Sequence, residues 1–150
     1  VHDFMKQEGK KVICGGTSAN VASRVLKREI VTLVKHADPK IPPMATMEGL
    51  DLVTEGVLTI GSALDLLHRY ENDEFDEAFF DALDAENGAA KLARLLIEEC
   101  TDLNLFVGRA LNPAHQNSNL PFDLSVRMNL VEQLKDCAER MGKHVTVKYY

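Results

Sequence analysis

The stretch Gly15-Gly16-Thr17-Ser18-Ala19-Asn20 breaks a short apolar run and opens a helical pattern. Two glycines let a backbone turn tightly and approach a ligand. The first turn of the helix that follows offers N–H groups and a partial positive charge. Thr17 and Ser18 add hydroxyl donors, so the chemistry on offer is an anion cradle. The same residues also read as an ordinary strand-to-helix turn in which Thr17 or Ser18 caps the helix. The spacing is that of neither a P-loop nor a dinucleotide fingerprint.

Two further segments carry chemistry of this kind. Arg109, just after Gly108, presents a fork of donors suited to phosphate or carboxylate, or a surface ion pair with Glu55. Glu55, in Thr54-Glu55-Gly56, can bond to ribose-like hydroxyls, hold a metal or orient Arg109, and the residues do not choose among these. Beyond Arg109 lie Asn112, His115 and Asn117. His115 can act as an acid or base near neutral pH, or fix its loop through hydrogen bonds. No second His or Cys stands near it at ligand spacing, which argues against zinc. The acidic run from Glu71 to Glu86 lacks the pattern of a calcium loop and reads as a solvated helix face and linker. Strand ends supply only Glu55 as a plain carboxylate, so two-metal catalysis is not expected. No metal ligand and no catalytic residue is assigned.

These segments need elements to position them. Lys11 to Cys14 reads as a buried strand ending at glycine. Val21, Ala22, Val25 and Leu26 then fall on one face of a helix. Ile30 to Val34 is β-branched and leads into a loop with Asp38-Pro39 and Pro42-Pro43, in which no helix is expected. Leu50 to Val53 is a third strand, followed by a helix marked by Val57, Ile60, Leu64 and Leu67. Phe75, Ala78, Phe79, Ala82 and Leu83 keep a helical stripe through the acidic run. A helix from Ala89 to about Glu99, a strand from Leu103 to Val107, a helix from Ser125 to Met141 with Gly142 as its cap, and a strand from His144 to Tyr150 complete the chain.

The alternation predicts a single three-layer, Rossmann-like α/β domain over residues 1–150. Its sheet is expected to be mostly parallel, with about five strands in the order 2-1-3-4-5. In such a sheet ligands bind beyond the carboxyl ends of the strands. Gly15, Gly16, Thr17, Ser18, Asn20, Thr54, Glu55, Gly56, Arg109, Asn112, His115 and Asn117 would then share one edge as the candidate site.

Composition narrows the partners. The chain has 150 residues, of which 45% are hydrophobic and 27% charged, enough for one core without staples. A formal net charge of −6 argues against a general nucleic-acid binder or an anionic-membrane binder. Cys14, Cys100 and Cys137 are odd in number and far apart, as expected of buried thiols in a reducing, cytoplasmic compartment. No signal peptide and no spanning apolar run is present. The chain begins at Val1 with no initiator Met, which predicts a fragment or a processed product.

The segments Gly9 to Asn20, Pro42-Pro43, Glu48 to Thr59, Val107 to Asn117 and Gly142 to Tyr150 occur in an order that resembles the C-terminal region of stage II sporulation protein E family serine/threonine phosphatases. The likeness runs over nearly the whole chain and is weakest in the acidic middle. It implies an upstream, protein phosphatase 2C-like catalytic domain in the same polypeptide, holding Mn²⁺ or Mg²⁺. That domain's metal-binding aspartates have no counterpart here, so the resemblance supplies no catalytic residue and no cofactor for this chain.

Three functions therefore compete. The first is a regulatory domain that binds a small anionic metabolite or nucleotide for an attached phosphatase. The second is a small enzyme using His115 or Glu55 on a phosphorylated substrate. The third is an interaction or dimerisation module, for which exposed apolar residues on one helix would speak.

Overall fold

The computed structural model describes residues 1–33, 44–54, 56–108 and 120–149. In chain order the elements are α1 (His2–Lys6), β1 (Val12–Cys14), α2 (Gly16–Leu26), β2 (Val31–Leu33), β3 (Met44–Thr46) and β4 (Leu52–Thr54). They continue with α3 (Val57–Glu71), α4 (Glu77–Asp84), α5 (Gly88–Arg94), β5 (Asp102–Val107), α6 (Leu120–Arg140) and β6 (His144–Tyr149). A π-helical turn, Leu95–Glu99, extends α5.

The sheet differs from the expected one. β1, β4, β3 and β2 form a four-stranded sheet in that order, and β5 and β6 form a separate two-stranded sheet. β1 pairs parallel with β4, with Cys14 opposite Thr54, whereas β3 is antiparallel to both β4 and β2. β5 and β6 are parallel over six residues each. A mostly parallel five-stranded sheet in the order 2-1-3-4-5 is thus ruled out. The reason is a matter of chain length. Residues 34–43 are too few for the helical crossover of about a dozen residues that a parallel return requires, so the chain comes back antiparallel. The returning strand, Met44-Ala45-Thr46, has weak β propensity and directly follows Pro42-Pro43, so nothing in its residues announced it.

Side-chain alternation divides the four-stranded sheet between two cores. Ile13, Ala45 and Val53 face Ala19 and Ala22 of α2, with Phe4 of α1 packed against them. Val12, Cys14, Met44 and Leu52 face the larger core built from α3, α4, α5 and α6. Helices therefore cover both faces, and the two-residue period of the strands assigns each residue to its layer.

Helix ends follow local chemistry. Asp76 Oδ1 accepts from the Phe79 N–H at 2.7 Å and starts α4, and Asn87 Oδ1 does the same for Ala90 at 2.8 Å to start α5. Arg94 Nη1 donates to the carbonyls of Leu83 and Ala85 and closes α4. After α6, the Gly142 N–H reaches Glu139 and the Lys143 N–H reaches Ala138, each at 3.0 Å. This is the glycine-terminated stop expected at Gly142. Among the described residues, no helix is long and apolar enough to cross a membrane.

Candidate functional site

Because β1 and β4 are parallel neighbours, the segments that follow them leave the sheet side by side. The Gly15 N–H donates to the Thr54 carbonyl at 2.8 Å, which carries the ladder one residue past the strands. Gly15 then takes φ +129°, a conformation that L side chains rarely adopt, and becomes the N-cap of α2. Gly56 is the N-cap of α3, and a β-carbon built on it would lie 3.5 Å from the Gly15 Cα. Two helices of 11 and 15 residues thus begin from abutting glycines.

Neither start has a side-chain cap. Ala19 N–H bonds to Gly15 O, and Ile60 N–H to Gly56 O, both at 3.0 Å. As in any α-helix, the first-turn N–H groups of α2 and α3 point out of the helix towards this edge. The partial positive ends of two helix dipoles meet at this edge. Thr17 and Ser18 lie within the first turn of α2 and do not cap it, which corrects the capping role expected of them. Both are exposed, as is Asn20, while Ala19 between them is buried.

Beneath the edge, Thr54 is buried and its hydroxyl is hydrogen-bonded to Cys14. Burial pushes the Cys14 thiol up, and the bond from Thr54 offsets this only in part. Cys14 is accordingly a neutral thiol at physiological pH rather than a nucleophile. No charged side chain among the described residues 14–20, 54 and 56–60 competes with an anion for the helix starts.

The geometry brings together Gly15, Thr54 and Gly56, with Gly16, Thr17 and Ser18 in the first turn of α2, whereas Asn20 lies a turn further along that helix. Glu55, Arg109, Asn112, His115 and Asn117 lie outside the described residues. The strand that leads to Arg109 belongs to the other sheet, so no ladder places the end of β5 against the ends of β1 and β4.

A second polar cluster, unmarked by any spacing in the sequence, joins α3 to α6. Cys137, with no exposed surface, donates its S–H to Glu71 Oε1 at 2.6 Å. Arg140 grips the same carboxylate, Nε to Oε2 at 3.1 Å and Nη2 to Oε1 at 3.4 Å. Burial alone would raise the Glu71 carboxyl, but the bonds from Cys137 and Arg140, with the charges of Arg140 and His68, hold it below its usual value. Burial, then the bond to Glu71 and its negative charge, push the Cys137 thiol up to about 12.

A thiol whose pKa is higher folded than unfolded contributes stability that is complete below the ordinary value of 9.0 and is lost as the pH rises towards about 12. Denaturation measured across that interval should therefore show a steep alkaline loss that Cys137→Ala flattens. An unchanged slope in the variant would mean the thiol is no more protonated folded than unfolded. Cys137 should also resist thiol reagents until the chain unfolds.

Comparison of the chain with protein-family models, curated proteins and solved structures returned no match.

Proposed function

We propose that this chain is an accessory, regulatory domain that binds a small anion, such as a phosphate-containing metabolite or nucleotide, where α2 and α3 begin. One observation carries the reading: two helix starts with glycine at the N-cap abut at the carboxyl ends of adjacent parallel strands, joined by the bond from Gly15 to Thr54. The amino ends of two helix dipoles that converge at one edge favour negative charge, and the described residues 14–20, 54 and 56–60 carry no charged side chain. With β1 and β4 held in register by three residue pairs, the donors need little rearrangement on binding.

The resemblance to the C-terminal region of stage II sporulation protein E family phosphatases supports a context for this binding. In that context a metal-dependent phosphatase domain precedes the chain in the same cytoplasmic polypeptide. A ligand alters such a partner only if it binds one arrangement of the domains better than the other.

The test is thermal unfolding of the chain with inorganic phosphate, then with nucleoside mono-, di- and triphosphates. At a hundredfold excess over Kd, binding stabilises by about 2.7 kcal/mol, or roughly 5–10 °C in Tm for a chain of this size. Two variants add a carboxylate at each helix start, Ser18→Glu and Leu58→Glu. Ser18 and Leu58 are exposed, and a negative charge in a first turn favours the helix, so both variants should fold at least as well as the parent. Each should lose the ligand-induced shift. No shift with any of these anions, or an equal shift in both variants, would overturn the reading.

A further inference from the structure

We infer that the face carrying Phe75 and Phe80 docks a basic segment of a partner protein, one that sets a large apolar side chain between Lys or Arg residues. Two adjacent phenylalanines on one helix cannot both face inward, because successive residues point about 100° apart. Phe79 takes the core and is 1% exposed, which turns Phe80 outward at 49%. Phe75, in the turn before α4, is 48% exposed and stacks on Phe80 at 6.1 Å between ring centres and 28° between planes. The two rings form an apolar shelf on the surface.

Beside the shelf is a cleft of about 390 Å³, lined by Tyr70, Glu71, Asp73, Phe75, Arg140 and Met141. It lies between the end of α3 and the end of α6. A shelf with an adjoining pocket is the form of an anchoring site.

Charge selects the occupant. Half the residues from Glu71 to Glu86 are carboxylates, with no Lys or Arg among them. Asp73, Glu77, Asp81 and Asp84 are exposed and form no ion pair among the described residues. Beside the shelf, Arg69 pairs with Asp76 and Glu74, and Arg140 with Glu71. Among the described residues the rim around the shelf is therefore mainly negative, Arg94 being held against the carbonyls that end α4. A second copy of the chain would set acid against acid, and an anionic bilayer would be repelled. Lys or Arg flanking an apolar anchor would pair with the rim, and could also lie over the exposed rings.

The shelf sits at the opposite end of α3 from the helix starts, roughly 20 Å along the axis at 1.5 Å per residue. Nothing about it depends on an anion there.

The experiment selects short random peptides displayed on phage against the chain, with counter-selection on the double variant Phe75→Ser/Phe80→Ser. Sequences with Lys or Arg on both sides of a large apolar residue should be enriched. Synthetic versions should bind in fluorescence anisotropy and lose roughly tenfold or more in affinity to the double variant, as removal of an aromatic anchor does. Asp73→Asn/Asp81→Asn should weaken them less and reduce the salt dependence. Should the double variant lose its circular dichroism, Phe80→Ser alone carries the comparison. Three results would each overturn the inference: no enrichment over the variant, enrichment of acidic or uncharged sequences, or sedimentation of the chain as a dimer that Phe80→Ser separates.

Discussion

Phe79→Ala should destabilise the chain by about 3–5 kcal/mol, the usual cost of removing a buried aromatic ring. Phe79 is 1% exposed and is among the largest fully buried side chains described. Its ring meets Phe75 at 5.8 Å and Phe80 at 5.4 Å, and the Arg69 guanidinium lies over it at 5.4 Å. Truncation therefore opens a cavity, unseats two ring contacts and leaves Arg69 without its aromatic partner. For a domain whose total stability is of order 5–15 kcal/mol, that is a large share. Urea denaturation should show the midpoint moving down with little change in slope. Phe80→Ala is the internal control. Half its ring surface is already in water, so its loss should cost under about 1 kcal/mol. Equal effects in the two variants would contradict the division of α4 into an inner and an outer face.

The second large effect concerns Gly88, where α5 meets the sheet. A β-carbon there would lie 2.7 Å from Thr54 Cγ2, 3.4 Å from Thr54 Cβ and 3.5 Å from Met44 Cγ. Two forces oppose one another at this position. Alanine favours a helix over glycine by up to about 1 kcal/mol, and overpacking costs about 1–3 kcal/mol. The neighbour decides the outcome. Thr54 is 4% exposed and β-branched, with its hydroxyl engaged by Cys14, so its methyl group has little freedom to swing aside. Gly88→Ala should be destabilising, and Gly88→Val, with two more carbons, should cost roughly 3 kcal/mol or more. Thr54→Ser removes the opposing methyl and keeps the hydroxyl. The pair Gly88→Ala/Thr54→Ser should therefore be more stable than the two single changes summed, by about 0.5–3 kcal/mol of coupling. Additive behaviour would show that the methyl group is not what excludes a side chain. Because Thr54 also carries the carbonyl that accepts from Gly15, Gly88→Val should weaken any anion binding at the α2 and α3 starts as well.

The candidate site was partly legible in residue types. Gly15-Gly16 and Gly56 mark the ends of apolar runs, and a Gly in that position announces a turn whatever the sheet beyond it. That these turns touch was not legible. It depends on β4 pairing with β1 rather than with another strand, a contact between residues some forty positions apart that leaves no local trace. The roles of Thr17 and Ser18 were misread for a related reason. The helix begins two residues earlier than a cap at Thr17 would set it, and three earlier than one at Ser18, because Gly15 takes φ +129°, a conformation that L side chains rarely adopt. The Cys137–Glu71–Arg140 cluster was invisible, since an acid at the end of one helix and a thiol late in another carry no shared spacing. The exposed Phe80 could have been found: a helical stripe that takes Phe79 inward necessarily puts its neighbour outside.

By itself the sequence determined the elements that carry their own signals. Gly15, Gly56 and Gly142 mark where apolar runs or helices end, and a 3.6-residue stripe turns Leu64 and Leu67 of α3 and Phe79 and Leu83 of α4 inward. Those properties are local, set by backbone sterics and by the separation of apolar from polar atoms along a few turns. Tertiary structure decided the rest: the antiparallel return of β3, the separation of β5 and β6 into a sheet of their own, and the meeting of two helix starts at one edge. Strand partners are chosen by which pairings bury the most apolar surface while satisfying every backbone group, a comparison over the whole chain that no single segment contains.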